Sequence, residues 1–490
     1  MRSKTKKGAL ALGAITVCAS LALALAACNG ISGNSSSGAS NSDTPTRESI
    51  TVNETIESSA DGEHAIAADG TADSYSNIAV VKTGEADGDE ADFYGENSAI
   101  FATNGATLDL NEIIVDTDGT HANAVFSYGE GTTVNISNSV IETVGNCSGG
   151  LMTTGGGTMN ATNLNIITSG NSSAAIRSDR GGGTVTVDGG SYVTNGVGSP
   201  VIYSTAEITV SNAYMESTAS QGVVVEGQNS ATLNNVELVA NNTTKNGDHS
   251  DYYQAVMVYQ SMSGDADSGE ASFTMNGGTL TNGTGDIFFV TNTVATINLD
   301  GATITNNGDG IFLRAAAAGW GSDGSNGGQV TLNAANQSID GDIVVDEVSS
   351  LNLYLASNST FTGAINSDGA AGEVYVELDE GSTWVLTGDS YITGLTCDAD
   401  AIDLNGHTLY IDGKAYTAGS ASTGTAVEAT ASTGTEHGDS GSSGTPPDAS
   451  SSSGKTTPNA SDSSGKTPPE KPSGSGKTPP EKPSGSSKSS

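Results

Sequence analysis

The sequence predicts an all-β chain built as one single-domain right-handed parallel β-helix, a solenoid of roughly 23–26 residues per rung with disordered N- and C-terminal segments. Three observations predict it. A hydrophobic–x–hydrophobic pair recurs at Leu108/Leu110, Val134/Ile136, Met159/Ala161, Val185/Val187, Ile208/Val210, Ala231/Leu233, Phe273/Met275, Ile297/Leu299 and Val330/Leu332. Two residues later, seven of these nine units carry Asn or Gly: Asn138, Asn163, Gly189, Asn212, Asn235, Gly277 and Gly301. Proline, which would break a ladder between stacked strands, falls inside the array only at Pro200.

Each element of a unit has a physical cause. Alternation with period two buries one face of a short strand, which makes the first side. Asn and Gly tolerate left-handed backbone, so their fixed slot marks a recurring sharp bend. A second apolar position follows at Val115, Ile141, Ile166, Tyr192, Met215, Leu238, Leu280 and Ile304. A third cluster closes the coil: Val125-Phe126, Leu151-Met152, Ile176, Val201-Ile202, Val223 to Val225, Val256 to Val258, Ile287 to Val290, Ile311 to Leu313, and Ile343 to Val345. One such coil cannot bury its own apolar face, so several must stack. "TVTVDGGSYVTNG" (184–196), which alone reads as a hairpin, is on this alignment one strand, the bend at Gly189, and the next side of the same coil. A β-sandwich or a string of Ig-like domains offers short strands too, but demands no Asn/Gly slot every 25 or so residues. Helical patterns are missing.

The β-helix is placed at 48–416, with irregular caps. Residues 48–100 read as first rungs plus an N-terminal cap. The stretch from "EVYVELDEG" (373–381) to residue 416 drifts off the repeat and reads as the C-terminal cap, which blocks edge-to-edge pairing. Cys147 and Cys397 lie some nine rungs apart, roughly 40 Å at ~4.8 Å per rung, and cannot form a disulfide.

The ends carry other signals. Arg2, Lys4, Lys6 and Lys7 precede an apolar run that ends in "LAAC" (25–28), the pattern of a secretory signal. "LAAC" resembles the lipobox of bacterial lipoproteins. That resemblance implies cleavage after residue 27 and a lipid on Cys28 that holds the protein to the membrane at the cell surface. Residues 28–47 are Gly/Ser/Asn-rich and read as a flexible tether. Residues 417–490 hold nine of the eleven prolines and a tandem "GKTPPEKPSGS" repeat, and read as a disordered tail.

Of 17 basic residues, only Arg47, Lys82, Arg177, Arg180, Lys245, Arg314 and Lys414 fall between the signal and the tail, against 56 acidic residues in the whole chain. Such a field excludes nucleic acid as a direct partner and suits divalent cations.

With "GGGTVTVDGGSYVTNGVGSPVIYS" and "SNGGQVTLNAANQSIDGDIVVD", the array resembles the pectin-lyase-like β-helix proteins and adhesin-like surface proteins of bacteria. The resemblance fixes a fold and leaves function open, because that fold hosts lyases, hydrolases, epimerases and non-catalytic binders. The histidines form no Gly-His-Gly, and the paired-aspartate signatures of the hydrolases are missing. The nearest catalytic constellation is "IRSDR", with Arg177, Asp179 and Arg180, joined by Glu226 from a later rung. Its bland alternative is local Arg–Asp pairing. Insertions between residues 241 and 328 supply the binding candidates: Tyr252, Tyr253, Tyr259 and Trp320 for stacking on a ligand, and Asp265, Asp267 and Asp323 for calcium. The competing reading folds Trp320 back over an apolar strand. The sequence thus points to a monomeric, lipid-anchored, non-catalytic adhesin or carbohydrate-binding protein, with a calcium-assisted polysaccharide lyase or hydrolase for acidic glycans, or an envelope spacer, as alternatives.

Overall fold

Inward-facing apolar side chains repeat at one spacing, and the strands that carry them stack in register. The structure, a computed structural model, describes residues 44–308, 310–369 and 372–428. The expected signal, Cys28, the tether up to residue 43 and the tail beyond 428 lie outside the described residues. Two compact units, 1–448 and 449–490, divide the chain, and every described residue belongs to the first.

The chain forms a parallel β-helix with three faces. On the first face, strands run from Ala72–Ser76 and Thr107–Asn111 to Gly394–Thr396. On the second they run from Glu54–Ser58 and Ile78–Lys82 to Thr303–Asn306. Gly157–Thr168 and Gly183–Thr194 cross both faces without a break, so the two make one 21-stranded sheet. The third face is an 11-stranded sheet from Ile66–Asp69 to Ile343–Val345. Pairings between named strands are parallel except for the terminal Leu409–Ile411 with Lys414–Ala415.

Register follows the apolar columns. Leu108, Val134, Met159, Val185, Ile208, Ala231, Phe273 and Ile297 stand over one another on the first face. Val115, Ile141, Ile166, Tyr192, Met215, Leu238, Leu280 and Ile304 do so on the second. All seven Asn/Gly slots have left-handed backbone, with φ from 49° at Asn138 to 74° at Gly189.

Four readings are corrected. Ile297 stands opposite Leu332 and Leu299 opposite Ala334, so the rung at Val330 is shifted by two residues from the sequence alignment. A shift of two preserves which side chains face inward, and so leaves no trace in the apolar pattern. With it, the bend falls on Asn336, at φ 47°. Second, the array is longer than nine units: Leu332, Leu353, Val376 and Leu395 continue the column through the stretch read as a cap. The rung just before that stretch has Ser357 (φ 56°) in the bend slot, neither Asn nor Gly, which hid the continuation. Third, an α-helix at Asp89–Tyr94 interrupts the all-strand pattern. It is the one α-helix among the described residues, and no helix there is long and apolar enough to cross a membrane.

Fourth, the ends of the folded part reach past 48 and 416. Arg47 pairs with Asp116 and with Glu142 (Nε to Oε1, 2.9 Å), and Asn165 Nδ2 donates to the Pro45 carbonyl at 3.0 Å. Ile50 packs on Ile114 and Val140. At the other end, Asn352 exchanges two 2.9 Å hydrogen bonds with the backbone of Val427. Polar side chains thus extend the fold where no apolar signal exists. Cys147 and Cys397 are buried free thiols.

Candidate functional site

On the third face, each strand alternates an inward apolar residue with an outward one, and the outward residues form a column: Phe126, Met152, Arg177, Tyr203, Val224, Met257, Phe289 and Arg314. An outward column of this composition needs a cover. The helix at 89–94 and the insertions after residues 241, 259 and 315 provide it.

Under that cover the structure gathers the four residues singled out as a catalytic constellation. Arg177 donates to Asp179 Oδ2 from Nε at 3.0 Å and from Nη2 at 2.6 Å. Arg180 pairs with Asp265 at 2.7 Å and lies 3.6 Å over the Phe93 ring. One rung above Arg177 stands Tyr203, whose hydroxyl donates to Glu226 and lies 3.3 Å from that of Tyr259. Ser261 closes the other side of Glu226 through its hydroxyl and its N–H, the latter at 3.3 Å.

Burial sets the electrostatics. It pushes the Asp179 carboxyl up, Arg177 pulls it partly back, and the balance is about 7. Burial raises Glu226 as well, against the bonds from Ser261 and Tyr203. Both tyrosine hydroxyls are held well above their ordinary range by burial and by the Glu226 charge. A carboxyl near neutrality beside an arginine is a set suited to proton transfer. Yet Arg177 is 3% exposed, Asp179 2% and Glu226 0%. In this conformation no polymer reaches them.

The binding candidates form part of the lid. Trp320 packs edge-on to Tyr259 and stacks on His249, each with ring centroids 5.2 Å apart. Tyr252 lies between Phe289 and the Arg314 guanidinium, which Asp286 holds at 2.6 Å. Tyr253 is half-buried near Lys245. Trp320 and Tyr259 are buried, so the two insertions do converge, but onto the strand beneath them. The three calcium candidates do not converge. Asp265 binds Arg180, Asp267 reaches Gln228 at 3.5 Å, and Asp323 is exposed. Among the described residues, the one set of three His, Cys, Asp or Glu donors within 4.8 Å of one another is Asp92, His121 and Cys147.

The first face lies away from those insertions, and the chain at Val427 crosses it at Asn352. Its outward column reads Asp109, Asn135, Asn160, Thr186, Thr209, Thr232, Thr274, Asn298, Asn333 and Tyr354. Stacked amides bond along it, as in Asn160 to Asn135 at 2.8 Å and Asn333 to Asn298 at 2.9 Å. The neighbouring column ends Asn276, Asp300, Ala335, Ala356. Two alanines there replace longer side chains and leave a hollow of about 230 Å³ bordered by Tyr354, Asn298, Asn333 and Asp300. Sequence reading missed Tyr354, because its outward position is fixed only by the corrected register.

Comparison with known proteins returns no match to a family model, to a curated protein or to a solved structure.

Proposed function

We propose that this chain is a lipid-anchored, extracytoplasmic β-helix of the adhesin kind that binds carbohydrate on its first face without turning it over. The hollow beside Tyr354 carries the reading. A half-buried aromatic ring with two amides and a carboxylate at its edge offers a sugar both stacking and directional hydrogen bonds. The lipid anchor rests on the "LAAC" signal alone, and the kinship with pectin-lyase-like proteins on the repeat alone. The formal charge of −39 opposes polyanionic glycans, so the reading favours neutral sugars, or acidic ones bridged by calcium. A glycan array probed with and without calcium tests it. Binding by the wild type and its loss in Tyr354→Ala are expected; no binding to any glycan would leave the rod as a spacer.

A second reading, a polysaccharide lyase or hydrolase, is favoured by the Arg177, Asp179 and Glu226 cluster and requires the insertion after Tyr259 to lift. Release of unsaturated or reducing ends from polygalacturonate, abolished in Asp179→Asn, would establish it in place of the first.

A further inference from the structure

We propose that Asp92, His121 and Cys147 form a zinc site at the junction of the N-terminal helix and two successive coils. His121 and Cys147 occupy the same bend on neighbouring rungs. Their backbones share left-handed geometry, φ 56° and 53°, and each N–H donates to the rung above, His121 to Asn146 at 2.9 Å and Cys147 to Asn171 at 2.8 Å. Stacking at ~4.8 Å therefore brings imidazole and thiol together. On the next two rungs the slot holds Ser172 (φ 54°) and Gly198 (φ 65°), so soft donors occur only where the helix Asp89–Tyr94 delivers Asp92.

The three donor atoms lie within 4.8 Å of one another. A tetrahedral zinc ion needs them about 3.3–3.5 Å apart, a difference that side-chain rotation supplies. Nδ1 of His121 is 2.7 Å from Asp92 Oδ1, and the same imidazole also engages the Cys147 thiol, so one ring faces both other donors. The imidazole and carboxylate side chains are 6% and 10% exposed, and Cys147 is 9% exposed. Nε2 lies 3.7 Å from the fully exposed Asp87 carboxylate, too far for a hydrogen bond.

A thiolate and an imidazole reject calcium and magnesium and suit zinc. Binding expels the Cys147 thiol proton and the second imidazole proton of His121 to solvent, and three protein ligands leave a fourth position for water. The site ties the helix to the coils beside Arg177, whose guanidinium feels the Asp92 charge.

Cobalt serves as the probe. The reduced, purified full chain is titrated with Co²⁺ near neutral pH. One equivalent should produce a thiolate-to-cobalt charge-transfer band, which equimolar Zn²⁺ abolishes. C147S should lose the band, D92N and H121Q should weaken Zn²⁺ binding at least about tenfold, and C397S should behave as wild type. Circular dichroism reports whether each variant keeps its β-structure. A folded wild type without the band, a band that survives in C147S, or unchanged Zn²⁺ affinity in folded D92N and H121Q would each overturn the proposal.

Discussion

Gly277 and Gly278 are adjacent, both have left-handed backbone (φ 62° and 73°), and the structure assigns them opposite tolerances. Gly277 fills the bend slot that holds Asn on six other rungs (Asn77, Asn138, Asn163, Asn212, Asn235 and Asn336), and a Cβ added there meets no heavy atom within 4 Å. Asn in left-handed backbone is strained, but by less than other side chains. The loss of unfolded-state freedom returns about 0.4–1 kcal/mol. Gly277→Asn should therefore change stability by less than about 1 kcal/mol. Gly278 sits directly over Val236, and its Cβ would lie 2.2 Å from the Val236 carbonyl oxygen and 2.7 Å from its nitrogen. The rung must open locally. Left-handed strain of about 1–2 kcal/mol and one or two weakened ladder hydrogen bonds of about 1 kcal/mol each bring the cost of Gly278→Ala to about 3 kcal/mol. Long solenoids do not unfold in one step, so amide exchange of Glu237–Ala240 and Thr279–Asn282 reads the effect where it arises. Equal costs for the two substitutions would refute both the register and the bend assignment.

Two further outcomes concern the covered cluster. The Asp179 carboxyl is raised from 3.8 to about 7, so the stabilisation it contributes is complete below pH 3.8 and is lost as pH rises through about 7. Asp179→Asn should be less stable throughout, because Arg177 loses its partner, but its unfolding midpoint should fall less steeply between those values; an unchanged slope would remove Asp179 as the titrating group. Trp320→Ala should cost about 3 kcal/mol locally and speed proteolytic cleavage within residues 315–327, whereas an unchanged cleavage rate would show that the indole does not hold the lid.

Much of the fold was legible because a solenoid writes its geometry once per coil. Asn163 and Gly189 occupy the same bend, and either residue type at that spacing announces it. Glu112, at φ 51° in the same slot, shows the limit: an unfavourable residue is carried there by the rungs on either side. Spacing also fails after an insertion, as at Val330. Arg177, Asp179 and Glu226 were legible as neighbours because outward positions stack. Their burial was not, since it depends on where the insertions fold. The zinc candidates were half legible. His121 and Cys147 are one repeat apart, but Asp92 arrives from a helix that carries no periodic signal.

Location of the bound glycan is the most direct test of the account. Hydrogen exchange of the full chain, with and without the saturating glycan selected on the array, should show new protection at residues 298–300, 333–335 and 354–356, and none in 259–269 or 315–327. Protection or opening confined to those two insertions, with the first face unchanged, would contradict it and move the site of action under the lid.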